Sequence, residues 1–83
     1  MFKILVVDDE LTSTQLIKRI LEMVGYEVSE ASNGREALNI IREIQPDLII
    51  TDIMMPEMNG YQLIKLMRQN PEYANIQIIA MSA

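Results

Sequence analysis

The chain has no cysteine, no histidine and no tryptophan, and only three glycines, three prolines and one phenylalanine among its 83 residues. Without cysteine there can be neither a disulfide framework nor a thiolate zinc site. Without histidine, imidazole acid–base catalysis and histidine-ligated metals are excluded. Basic runs are also missing and the net charge is −5, so the segment lacks the positive patch that direct contact with nucleic acid requires. No apolar run approaches the roughly 18 residues of a membrane span, and the run after Lys3 is too short for the apolar part of a signal peptide. These absences fit a cytoplasmic protein with no membrane segment.

What is present is the composition of a globular chain, 49% hydrophobic with 23% charged residues. Its length allows one domain at most, and a small one that buries a modest share of its surface. Short apolar runs alternate with longer segments of helical period. Ile4-Leu5-Val6-Val7 reads as a strand buried on both faces. Thr12, Ser13 and Thr14 offer capping hydroxyls to a first helix whose apolar stripe is Leu16, Ile17, Ile20, Leu21 and Val24, with Gly25 as its C-terminal stop. A second strand is expected around Tyr26 to Ala31. Asn33 with Glu36 opens a second helix carrying Ala37, Leu38, Ile41 and Ile44, and Pro46 ends it. Leu48 to Thr51 forms a third apolar run. Asn59 caps a third helix with Leu63, Leu66 and Met67, Asn70-Pro71 closes it, and Ile76 to Met81 is the fourth run. A βαβαβαβ order implies right-handed crossovers and a parallel sheet with helices on its faces.

In such sheets ligands bind beyond the carboxyl ends of the strands. Asp8, Asp9 and Glu10 follow the first run, Asp52 ends the third and Ser82 follows the fourth, so three strands deliver polar groups to one edge. Two carboxylates about 4 Å apart repel by roughly 4 kcal/mol at an effective dielectric near 20. A cluster of three therefore needs a raised pKa on one member or a bound cation, and an all-oxygen set suits Mg²⁺. A plainer possibility is that Asp8, Asp9 and Glu10 simply begin the first helix, where acids favour its dipole. Met54, Met55, Met58 and Met67 read as packing residues, and Pro56 and Gly60 as residues that shape the loop after Asp52.

Three segments, KILVVDDE, PDLIITDIMMPEMNG and IIAMSA, resemble the signatures of bacterial response-regulator receiver domains, in order and over the whole chain. The middle one is the most specific, with Met-Pro three and four residues after Asp52 and Gly60 at the eighth. The resemblance implies a flavodoxin-like α/β fold with strand order 2-1-3-4, the first helix on one face and the second and third on the other. It implies that Asp52 accepts a phosphoryl group from a sensor histidine kinase or phosphotransfer protein. Asp8, Asp9, Asp52 and the backbone carbonyl of Met54 would hold Mg²⁺, while Ser82 and the small Ala83 would lie beside the phosphoryl group. It implies no enzyme in the ordinary sense, only self-catalysed phosphotransfer and slow autodephosphorylation.

Measured against the same family, residues 1–83 are expected to be a truncated domain. A fourth helix, a fifth strand with its phosphoryl-contacting lysine, and a fifth helix are not matched, and Lys65 does not replace that lysine. Apolar side chains of the first, third and fourth strands are then expected to face water, and the chain to self-associate through that face or through the fourth-strand edge. Two other classes remain. One is a receiver-fold interaction module that works without phosphorylation. The other is an aspartyl phosphohydrolase, which usually shows Asp-x-Asp after the first strand where this chain has adjacent acids. A cobalamin-binding domain of similar topology would need a histidine.

Overall fold

The four apolar runs become strands and the three helical-period segments become helices in a computed structural model that describes residues 1–55 and 58–81. Their order is β1 (Lys3–Val7), α1 (Leu11–Val24), β2 (Glu27–Ala31), α2 (Gly34–Ile44), β3 (Leu48–Asp52), α3 (Gly60–Gln69) and β4 (Gln77–Met81). All strand pairs are parallel and the sheet order is β2-β1-β3-β4. The fold is the flavodoxin-like one with the expected order.

Strand period divides the core into two layers. Leu5, Val7 and Ile49 point to one face, where Ala37 and Ile41 of α2, Leu63 and Met67 of α3, and Met55 and Tyr73 pack on them. Ile4, Val6 and Val28 point to the other face and meet Ile17 and Leu21 of α1. All four aliphatics of β1 are almost fully buried. Each such side chain contributes about 1.5–3 kcal/mol of burial, an upper bound against an extended chain.

The helix ends follow local chemistry. Gly25 takes a left-handed conformation at φ 106°, its amide donating to Glu22 O and that of Tyr26 to Leu21 O, the paired bonds of a Schellman turn. The Asn33 side chain accepts from the Glu36 amide at 2.8 Å. At α3, Asn59 and Gln62 cap each other reciprocally.

The start of α1 differs from the sequence-based expectation. Its N-cap is Glu10, which makes no side-chain cap bond, so Thr12, Ser13 and Thr14 lie inside the first turn and not before it. The stripe of α1 is also narrower than its apolar residues suggest: Ile17 and Leu21 face the sheet, whereas Leu16, Ile20 and Val24 are exposed. On α3, Leu63 and Met67 are buried but Leu66 is exposed.

The expected uncovered face is found at the third and fourth strands but not at the first. Ile4 and Val6 of β1 are covered by α1, and the exposure falls on β4, where Ile79 is 51% exposed, with Leu48 and Ile50 of β3 only partly buried beside it. The covering helix sits over β1 and β2, because its crossover joins those two strands.

β4 is held by its ladder with β3 and by Ile78 packed on the layer of α2 and α3, and a side chain of α3 fixes its approach. Arg68 Nη1 donates to the Ala74 carbonyl at 2.6 Å and the Ile76 carbonyl at 3.0 Å, clamping the loop that leads into the strand. Replacing Arg68 with alanine is expected to cost about 1–2 kcal/mol, read as a lower urea midpoint at unchanged slope. Lysine should recover only part of this, because its ammonium lacks the planar donor set of the guanidinium. An unchanged midpoint for Arg68→Ala would show that the clamp contributes nothing.

Candidate functional site

Register brings the acids together. Val7 pairs with Thr51 across β1 and β3, so Asp8, the next residue on one side, comes up beside Asp52 on the other. Asp9 follows Asp8 into the turn before α1. The three residues Asp8, Asp9 and Asp52 each present a carboxylate oxygen, and these oxygens lie within 4.8 Å of one another.

Each carboxylate has a different setting. Asp8 is nearly buried, at 9% exposure, and its Oδ1 accepts from the Glu10 amide at 2.9 Å. Asp9 is exposed and Asp52 is partly buried. Asp52 Oδ1 accepts from the Met54 amide at 3.2 Å, which orients the carboxylate over the turn after β3. Burial holds the Asp8 carboxyl above its ordinary value, with the negative charges of Asp52, Asp9 and Glu10 acting in the same direction and the Glu10 amide opposing them. Crowding thus adds to burial at Asp8, the least exposed of the three acids.

The sequence-predicted residues divide in three ways. Asp8, Asp9 and Asp52 are brought together. Glu10 is exposed and caps α1 through its backbone only. Pro56, Ser82 and Ala83 lie outside the described residues.

Gly60 does shape the loop: its amide donates to the Ile53 carbonyl at 3.0 Å, and a Cβ there would stand 2.7 Å from Asp52 O and 2.9 Å from Ile53 Cα. Those neighbours are backbone of the segment carrying Asp52, so only glycine lets the start of α3 come this close. Of the methionines read as packing residues, Met55 and Met67 are buried and Met58 is partly buried over Gly34. Met54 is not one of them; its side chain is 74% exposed beside the site.

Sequence reasoning assigned no role at the site to Glu30, Ser32 and Glu36. They line a cavity of about 260 Å³ together with Asp8, Asp9, Thr14 and Ala31. Their sequence signal is only their place at and after the carboxyl end of β2, which becomes informative once β2 is known to neighbour β1.

Residues 4–83 match the family profile described as the response regulator receiver domain. The chain belongs to this family. Chemotaxis protein CheY of Thermotoga maritima is 45% identical over 83 residues, covering 98% of this chain and 67% of the relative. A probable transcriptional regulator, ycf27 of Porphyra purpurea, is 42% identical over 79 residues, which are 95% of this chain and 32% of that protein. This chain thus spans about a third of the length of such regulators. Among solved structures, chemotaxis response regulator CheY4 of Vibrio cholerae superposes with a TM-score of 0.92 at 38% identity, over 96% of this chain and 67% of its own. The signal receiver domain of a histidine kinase from Syntrophus aciditrophicus gives 0.93 at 40% identity, over 98% of this chain and 61% of its own. Receiver domains serve two-component signalling, interact with histidine kinases or phosphotransfer proteins, and generally bind Mg²⁺ at an acidic pocket. Among the described residues, no helix of this receiver is long and apolar enough to cross a membrane.

The Asp8 setting gives a signed pH dependence. A carboxyl whose folded pKa lies above its unfolded value of 3.8 destabilises the fold as it ionises, so stability is lost as pH rises through that raised value. Asp8→Asn keeps the acceptor for the Glu10 amide and removes the charge. Without divalent cation it should raise Tm at pH 7 by roughly 4–8 °C, equivalent to about 1 kcal/mol, and the gain should shrink towards zero near pH 3.5. Thermal melts across that range decide it: a gain that persists at low pH would locate the effect elsewhere.

Proposed function

We propose that this receiver accepts a phosphoryl group on Asp52 from a histidine kinase or phosphotransfer protein, with Mg²⁺ held by Asp8, Asp9, Asp52 and the Met54 backbone carbonyl. The observation that carries the proposal is the convergence of three carboxylates from two neighbouring strand ends to within 4.8 Å. The donor set fits the ion: hard carboxylate oxygens on an open edge leave room for the waters that Mg²⁺ retains. Bound there, Mg²⁺ would supply neutralisation of charge on the transferring oxygens.

The chain's own part is positioning. An Asp52 carboxylate oxygen attacks phosphorus, a P–O bond forms to give an acyl phosphate, and the P–N bond to the donor imidazole breaks. The departing imidazole nitrogen keeps the electron pair and takes a proton from solvent. The Met54 amide holds the other Asp52 oxygen, and Gly60 keeps the loop behind it close. Ser82 and Ala83 retain the phosphoryl-side places that the resemblance gives them. The domain is not an enzyme on a separate substrate; it catalyses its own modification and its slow reversal by water. A cytoplasmic site of action belongs to the same reading.

Intact-mass spectrometry after incubation with acetyl phosphate and Mg²⁺ tests this. The expected result is one phosphoryl adduct that requires Mg²⁺ and is lost in Asp52→Asn. An adduct that survives in Asp52→Asn would refute the assignment of the acceptor. No adduct on the wild-type chain would select the interaction module that works unphosphorylated.

The exposed Leu16, Ile20, Met23 and Val24 of α1, with Ile79 on the same side of the sheet, support a second element of the proposal, self-association of residues 1–83. Sedimentation velocity should show a weight-average mass that rises with concentration and falls back in Ile20→Glu. A monomer at all concentrations would remove self-association and leave the phosphoacceptor reading intact.

A further inference from the structure

Two of the three clustered acids sit on one short turn, residues 8–10, between the end of β1 and the start of α1. Three backbone amides help to hold it: Asp8 N donates to Ala31 O at 3.0 Å, Glu10 N to the Asp8 carboxylate at 2.9 Å, and Thr14 N to Glu10 O at 3.2 Å. The N-cap residue Glu10 adds no side-chain bond. Among the described residues, the side-chain bonds to carbonyls of this turn come from Thr14 alone. Its hydroxyl donates to Glu10 O at 3.1 Å and reaches Asp8 O at 3.5 Å.

A threonine inside a helix commonly returns its hydroxyl to the carbonyl four residues back. Thr14 does that and also spans to the strand end, so one hydroxyl bridges the residues on either side of Asp9. Thr14 is 3% exposed, and it forms part of the wall of the cavity shared with Asp8 and Asp9.

We infer that Thr14 is a positioning residue: its hydroxyl holds the Asp8–Asp9 turn in the geometry that binds a divalent cation. This rests on the proposal that the Asp8, Asp9 and Asp52 cluster takes such an ion. A buried hydroxyl restrains the turn with few side-chain torsions to order, whereas Asp9 is exposed and gains no restraint from packing. Outer partners of ligand-bearing segments typically carry 10–100-fold in metal affinity.

The test is direct binding of Mn²⁺, followed by the loss of its free-ion electron paramagnetic resonance signal, on the full chain without phosphodonor. Wild type, Thr14→Val and Thr14→Ser are compared, with circular dichroism melts of each. Valine keeps the shape and removes the hydroxyl, and serine restores the hydroxyl without the methyl. The expected result is an affinity about tenfold weaker for Thr14→Val and within about threefold of wild type for Thr14→Ser. Equal affinities for valine and wild type overturn the inference, and so does equal weakening by valine and serine. Should the valine variant melt below the assay temperature, Thr14→Ala replaces it under the same criteria. A wild-type chain that binds no Mn²⁺ instead removes the cation site itself, and the inference with it.

Discussion

Val7 lies opposite Thr51 in a parallel ladder, so whatever follows each residue leaves the sheet side by side. Here Asp8 and Asp52 follow, and the repulsion between them is imposed by backbone pairing that neither side chain can relieve by moving apart. Sliding β3 by one residue would separate the acids, but it would also turn Ile49 out of one core layer. Burial of the aliphatics thus enforces the crowding of the carboxylates. The same packing buries Asp8, and that burial, with the neighbouring acids adding to it, holds the Asp8 carboxyl above its ordinary value.

The same crowding underlies the proposed chemistry. A cluster of acids that cannot spread prefers a cation, and a cation beside a carboxylate is what a phosphoryl group needs. The surrounding chain limits motion around the cluster: the Met54 amide on Asp52, the Glu10 amide on Asp8, and Gly60 against the backbone behind Asp52. On the far side of the sheet from α2 and α3, restraint is looser. α1 covers β1 and β2, while β4 is held by its β3 ladder and by Ile78 on the other face, with Arg68 fixing the loop before it.

Much of this was legible in the residues. Gly25, Asn33 and Asn59 act as helix punctuation because each satisfies a local requirement that depends on a few neighbouring atoms. Thr12 to Thr14 resemble caps in sequence but lie inside the helix for an equally physical reason. Asp8 already engages the Glu10 amide, so the helix begins two residues earlier than a hydroxyl-capped helix would. The outer stripe of α1 reads as core in sequence because period shows which residues share a face, not whether anything packs against it.

Taken alone, the order of residues determined the element types, the parallel class of the sheet and the presence of acids at strand ends. These depend on periodicity and on short-range bonds. Tertiary structure decided how near the acids come, which of them is desolvated, that β2 brings Glu30 to the same cavity, and that Thr14 faces the turn and not solvent. Those properties depend on register between strands far apart in the chain, and register is set by packing across the whole sheet.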